Sequence, residues 1–188
     1  MSINLARICR SLSTRILGRV TQRFARDEGG SAAIEFAVVA LPFFALLFAI
    51  MQTALVFFAG QILETANGDA ARLVRTGQAQ TQTFDAVAFK NNLCSRIKGM
   101  MSCDGISIDV KAYQNFSSVN PAPALDADGN LQTGSFGFNA GGPGDIVIVR
   151  AMYPFPMFVS MYGLNMSNMA GNKRLLMATA AFRNEPYQ

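Results

Sequence analysis

The longest unbroken pattern along the chain is apolar. From Phe36 to Gly60, 25 residues carry no charge, and Gln52 and Thr53 alone have polar side chains. At about 1.5 Å of rise per residue, such a helix spans about 37 Å, enough to cross a hydrocarbon core of about 30 Å with some tilt. The pattern predicts a single transmembrane helix. Beyond it, "QILETANGDAARLVRTGQAQ" repeats apolar residues at Ile62, Leu63, Ala66, Ala70, Leu73 and Val74. That spacing, with a polar opposite face, continues the helix to about Arg75 and ends it near Gly77. Gly68 is a weak point costing about 1 kcal/mol relative to alanine.

A second helix follows in "TFDAVAFKNNLCSRIKGMMSC", where Phe84, Val87, Ala88 and Leu93 keep helical spacing. Thr83 is its expected N-cap and Gly99 its stop. The period then drops to two. Residues 106–113, "ISIDVKAY", alternate Ile106, Ile108 and Val110 with Ser107, Asp109 and Lys111. Residues 145–153, "DIVIVRAMY", and 175–182, "LLMATAAF", read as two further strands, the last entered through the turn-rich "NMAGNK". The Pro- and Gly-rich "NPAPALDADGNLQTGSFGFNAGGPG" reads as a long loop between the first two strands. "YPFPMFVSMYGLNM" is expected to form an exposed apolar loop or a subunit interface, with ordinary core packing as the alternative. The fold class is α+β: a long N-terminal transmembrane helix running into a domain with a small antiparallel sheet.

Composition sharpens this outline. Hydrophobic residues make up 51% of the 188, charged residues 15%, and mean hydropathy is +0.24. The formal charge of +4 is unevenly placed. Arg7, Arg10, Arg15, Arg19, Arg23 and Arg26 precede the apolar run against only Asp27 and Glu28, while the remaining residues balance ten bases with ten acids. A basic chain invites a nucleic-acid reading. Here the whole excess lies just ahead of a span, where the positive-inside rule holds an N-terminus in the cytoplasm. A basic arm for nucleic acid or anionic lipid is the weaker alternative, and the partners expected include no nucleic acid. Cys9 then stays in the reducing compartment, whereas Cys94 and Cys103 are exported and have eight residues between them. Their pairing would close a loop worth about 2–3 kcal/mol; two separate thiols are the alternative.

The approach to the apolar run raises the question of processing. A secretory signal peptide has a shorter apolar stretch and small residues at the cut, where "VFFAG" offers Phe58. The sequence "DEGGSAAIEF" instead places a glycine pair after a basic leader and Glu35 fifth from Ser31. This segment resembles the processing site of the type IV pilin superfamily, in the variant of the tight-adherence (Tad, or Flp) pili. The resemblance implies that a prepilin peptidase cuts after Gly30 and leaves Ser31 as the first residue. Many type IV pilins begin with a methylated Phe, a place that Ser31 takes here. Residues 32–78, "AAIEFAVVALPFFALLFAIMQTALVFFAGQILETANGDAARLVRTGQ", resemble the TadE-like domain, including Glu35, Phe36 and Pro42. "GDIVIVRAMYPF" and "ATAAFRNEPY" are similar to TadE-like proteins more loosely, and residues 104–144 resemble no family pattern.

What the resemblance implies is a minor pseudopilin with three parts: residues 1–30 as a removed leader, 31–77 as the transmembrane helix and its extension, and 78–188 as an exported α+β domain. Its expected place is the bacterial inner membrane, single-pass, with the C-terminal domain periplasmic, or the extracellular pilus built from it. Its expected partners are prepilin peptidase, a TadF-like minor pseudopilin, the major Flp pilin, and the inner-membrane platform with its ATPase. Independently of the family, a carboxylate at the edge of a bilayer needs a reason. After cleavage the Ser31 ammonium and Glu35 could satisfy each other within or between chains and set the axial register of packed helices. A glutamate snorkelling to the interface is the plain alternative. Ala33, Ala37, Ala40, Ala45 and Ala49 permit close helix approach, and Pro42 removes one backbone donor.

Catalytic chemistry is hard to find. The chain has no histidine, the commonest general base and metal ligand, and no Cys-x-x-Cys, Gly-x-Ser-x-Gly or Walker-type loop. Asp126, Asp128 and Asn130 fit positions 1, 3 and 5 of a calcium loop, but Leu131 and Gly137 stand where Gly and Glu are required. The stretch reads as a turn. No catalytic, cofactor-binding or metal residue is expected, and an uncleaved single-span protein with an external binding or scaffolding domain is the rival reading.

Overall fold

The computed structural model describes residues 30–97, 99–121, 123–159 and 165–186. The arginine-rich leader and Cys9 lie outside the described residues. Helix α1 runs unbroken over Ser31–Arg75, α2 is the single turn Gln78–Thr81, and α3 spans Ala86–Ile97. Strands β1 (Ser107–Tyr113), β2 (Ile146–Pro156) and β3 (Lys173–Arg183) form an antiparallel sheet in the order β1-β2-β3. The fold is thus α+β, with a long apolar helix ahead of a three-stranded sheet. Two compact units divide the chain inside α1, Met1–Leu47 and Phe48–Gln188.

In the first unit the described part of α1 keeps its apolar side chains in the open, from Ile34 through Leu47. The helix continues through Pro42, which deprives the Val38 carbonyl of its usual donor. Such a surface is unfavourable in water and suited to lipid or to other helices.

The second unit contains the core. From Phe48 onward, α1 turns Gln52, Val56, Ala59, Leu63, Ala66, Asn67, Ala70, Ala71 and Val74 inward at helical spacing. The apolar ones join Phe89, Leu93 and Ile97 of α3 and Val147, Val149, Ala151 and Phe155 of β2 in one cluster. The small residues on α1 allow its backbone to approach the sheet. Gly77 ends the helical run at φ 77°, a conformation that glycine adopts without steric cost.

Two details differ from the sequence reading. Asp85, not Thr83, caps α3: its Oδ1 accepts a 2.7 Å bond from Ala88 N. Thr83 instead takes φ 52° in the turn before it, so an aspartate two residues on fills the role that the TQTFD pattern gave to threonine. The start of "YPFPMFVSMYGLNM" is strand and core, since β2 runs to Pro156 and both Phe155 and Met157 are buried. The prolines fit because the β1 pairing stops at Ser107↔Met152. Val110 exchanges its main-chain bonds with Gly137 and Asn139, away from β2. By alternation, the main-chain nitrogens of Pro154 and Pro156 face the β1 side, past its last pair, where no donor is needed.

The Pro- and Gly-rich connection between β1 and β2 is pinned at several points. Val110 N donates to Gly137 O and Asn139 N to Val110 O, both at 2.8 Å. Lys111 Nζ reaches Ser135 O at 2.8 Å, and Ala170 N reaches Gly129 O at 3.0 Å. The connection therefore extends the β1 edge and also meets the turn before β3. After β3, Glu185 N bonds Arg75 O at 2.9 Å and its carboxylate pairs with Arg75 Nη2 at 2.9 Å, tying the chain back to the end of α1.

Candidate membrane and assembly segment

Gly30 is exposed, and among the described residues no atom beyond its chain neighbours lies within 4 Å of where its Cβ would be. The next residue, Ser31, is the first of α1. One turn on, Glu35 Oε1 accepts a 3.2 Å bond from Ser31 Oγ, since residues four apart share a helix face. Phe36 is 71% exposed. The structure therefore places Gly30, Ser31, Glu35 and Phe36 together at an accessible helix start that leads into an apolar surface.

Gln52 was visible in the sequence only as a blemish in the apolar run, and its role emerges from the fold. It is 4% exposed. Its Oε1 accepts from Phe158 N at 2.6 Å and Val159 N at 2.5 Å, while Nε2 donates to Val159 O at 3.2 Å. One amide thus satisfies three main-chain groups of the segment leaving β2. Beside it, Thr53 Oγ1 donates back to Ala49 O at 2.8 Å and lies 3.4 Å from Met166 Sδ. A polar residue inside an otherwise apolar run was the available signal; its partners, more than a hundred positions away, were not.

Cys94 on α3 and Cys103 just before β1 have Cα atoms 5.6 Å apart, within the disulfide range. Cys94 is buried in the cluster under α1. Asp126 caps its own turn, accepting from Asp128 N at 3.0 Å and Asn130 N at 2.7 Å. Asp145 likewise accepts from Gly142 N at 2.8 Å. These carboxylates are occupied in shaping turns, and among the described residues no three His, Cys, Asp or Glu gather as a metal site.

Among the described residues, one helix near the N-terminus is long and apolar enough to cross a membrane, and a small α+β head follows it; this defines the class, a candidate single-pass membrane protein. The model of the TadE-like protein family matches residues 30–72. Over that segment the chain resembles TadE-like proteins, which is consistent with a protein associated with the Tad pilus. The match begins at Gly30 and ends within α1, so the sheet lies outside it. No curated protein and no solved structure matches the chain.

Proposed function

We propose that the chain is a minor pseudopilin of a Tad pilus, made as a membrane precursor, cut after Gly30 by a prepilin peptidase, and used in pilus assembly and surface adherence. The observation that carries this reading is the junction at Gly30: an open glycine, then a helix that starts at Ser31, carries Glu35 one turn on and presents an exposed apolar surface. The start of the TadE-like match at the same residue supports it.

In this reading residues 1–30 are the leader, residues 31–77 the packing helix and its extension, and residues 78–188 the periplasmic domain. The mechanism is structural rather than enzymatic. The α1 surface packs among the helices of the major Flp pilin and a TadF-like pseudopilin, and the platform with its ATPase moves the subunit out of the inner membrane. Glu35, close to a new ammonium on Ser31, sets the register because neither charge is well solvated at the membrane edge.

The test is the N-terminal residue of the membrane-extracted protein, read by mass spectrometry from hosts with and without the peptidase. A peptidase-dependent start at Ser31 supports the reading. Intact Met1 in both hosts leaves an uncleaved anchored binding or scaffolding protein.

A further inference from the structure

The apolar run and the folded head overlap along α1. Counting from Glu35, about 20 helical residues cross a hydrocarbon core, which reaches Leu55. Gln52 falls inside that reach by three residues, about 5 Å of helix. At the same level of the helix, Phe48, Ile50, Met51 and Leu55 are exposed apolar residues. The segment that Gln52 holds, Phe158 and Val159, is therefore also at the depth of the bilayer boundary, provided that α1 spans.

That depth explains the chemistry of the clamp. Irregular backbone in an apolar setting must have its N–H and C=O groups satisfied internally, because each unpaired group costs several kcal/mol there. Gln52 satisfies three of them with one side chain. Phe158, whose backbone is so held, is 71% exposed, although a phenylalanine in water gains by burial. An apolar side chain turned outward beside an N–H already bonded inside the protein fits acyl chains.

We propose that Phe158 inserts into the membrane leaflet on the side of the folded head, with Gln52 acting as the positioning residue that keeps its main chain satisfied there. The occupant of this surface is lipid, at the boundary of headgroups and acyl chains. Gln52 of α1 bonds the segment of Phe158 and Val159 directly, which puts it at the level of the exposed Phe48, Met51 and Leu55 of the same helix. This inference rests on the single-span reading of α1, and does not depend on cleavage or on a pilus.

The chain contains no tryptophan, so Phe158→Trp, Phe43→Trp and Phe116→Trp each give the full-length protein one fluorophore. Each variant is reconstituted, dilute, in vesicles of phosphatidylcholine and phosphatidylglycerol brominated either near the headgroup end or near the tail end of the acyl chain. Phe43→Trp reports on the span, and Phe116→Trp on an exposed part of the head. The expected result is strong quenching of Phe158→Trp by bromines near the headgroup, quenching of Phe43→Trp by acyl-chain bromines, and none for Phe116→Trp. Adding Gln52→Leu to Phe158→Trp should lower the quenching and red-shift the emission. Quenching of Phe43→Trp without Phe158→Trp leaves the span intact and overturns the inference. So does a Phe158→Trp signal shielded only at high protein density, which would mean that a second copy covers it. If Phe43→Trp is not quenched, the spanning reading itself fails.

Discussion

Asp109 and Arg150 are directly opposed on β1 and β2, and the guanidinium Nη2 lies 2.5 Å from the carboxylate Oδ2. Their side chains are 2% and 6% exposed. The same carboxylate accepts from Gly137 N at 2.9 Å, so it also fastens the segment bordering β1. Removing one member of a buried pair leaves the charge of the other less compensated, at a cost of up to about 3–5 kcal/mol, whereas replacing both with apolar residues of similar volume is often neutral. Asp109→Ala should therefore lower stability by up to that amount, and Asp109→Leu combined with Arg150→Met should recover most of it. Calorimetric melting of the full chain in detergent measures both. Equal melting of the single variant and the parent would mean that the pair contributes little.

Asp126 carries a pH prediction. The N–H of Asn130 is the main cause of its lowered pKa, helped by the Asn130 side chain and the main chain at Asp128 and Gly129, against a smaller opposing effect of desolvation. A carboxyl with a depressed folded pKa adds stability above its unfolded pKa and loses it as pH falls through the folded value. Acid should therefore loosen the Asp126 turn only below the usual aspartate range. A carbon-13 titration of this carboxyl should give a midpoint below that range. A midpoint at or above it would show that the turn does not hold the ionised form.

Cys94 and Cys103 should be covalently paired in protein taken from membranes without reductant. Closing this short loop contributes about 2–3 kcal/mol in the chain-entropy description. Alkylation before reduction should leave both residues unlabelled, and the double serine variant should melt lower by a corresponding margin. Complete labelling before reduction would establish two thiols.

The helix, its end near Gly77 and the three strands were legible because each rests on a local period: none charged, near 3.6, or two. What was not legible depends on distant partners. The apolar run read as one uniform span, yet Val56 and Ala59 are core residues of the head, since lipid and protein interior select the same side chains. The prolines at 154 and 156 sit in β2 because the β1 pairing stops at Met152, two positions before Pro154 and four before Pro156, where no donor is needed. Ser31 and Glu35 were legible as neighbours from helical spacing alone. Gln52 could be noticed but not interpreted, because its partners arrive from beyond β2.

Glu35 gives the sharpest functional prediction. Glu35→Gln keeps a polar side chain of the same shape one turn into α1, able to accept from Ser31 Oγ as the carboxylate does at 3.2 Å. The glutamine lacks only the charge that would pair with the ammonium created by cleavage. The variant should therefore be processed after Gly30 at the parental rate, remain in the membrane, and fail to enter sheared pili or to crosslink with the other pilins. Immunoblots of membrane and pilus fractions separate these steps. A charge that merely snorkels to the interface would leave incorporation unchanged. Normal incorporation of the processed variant would therefore remove Glu35 from register setting, while leaving the processing site in place.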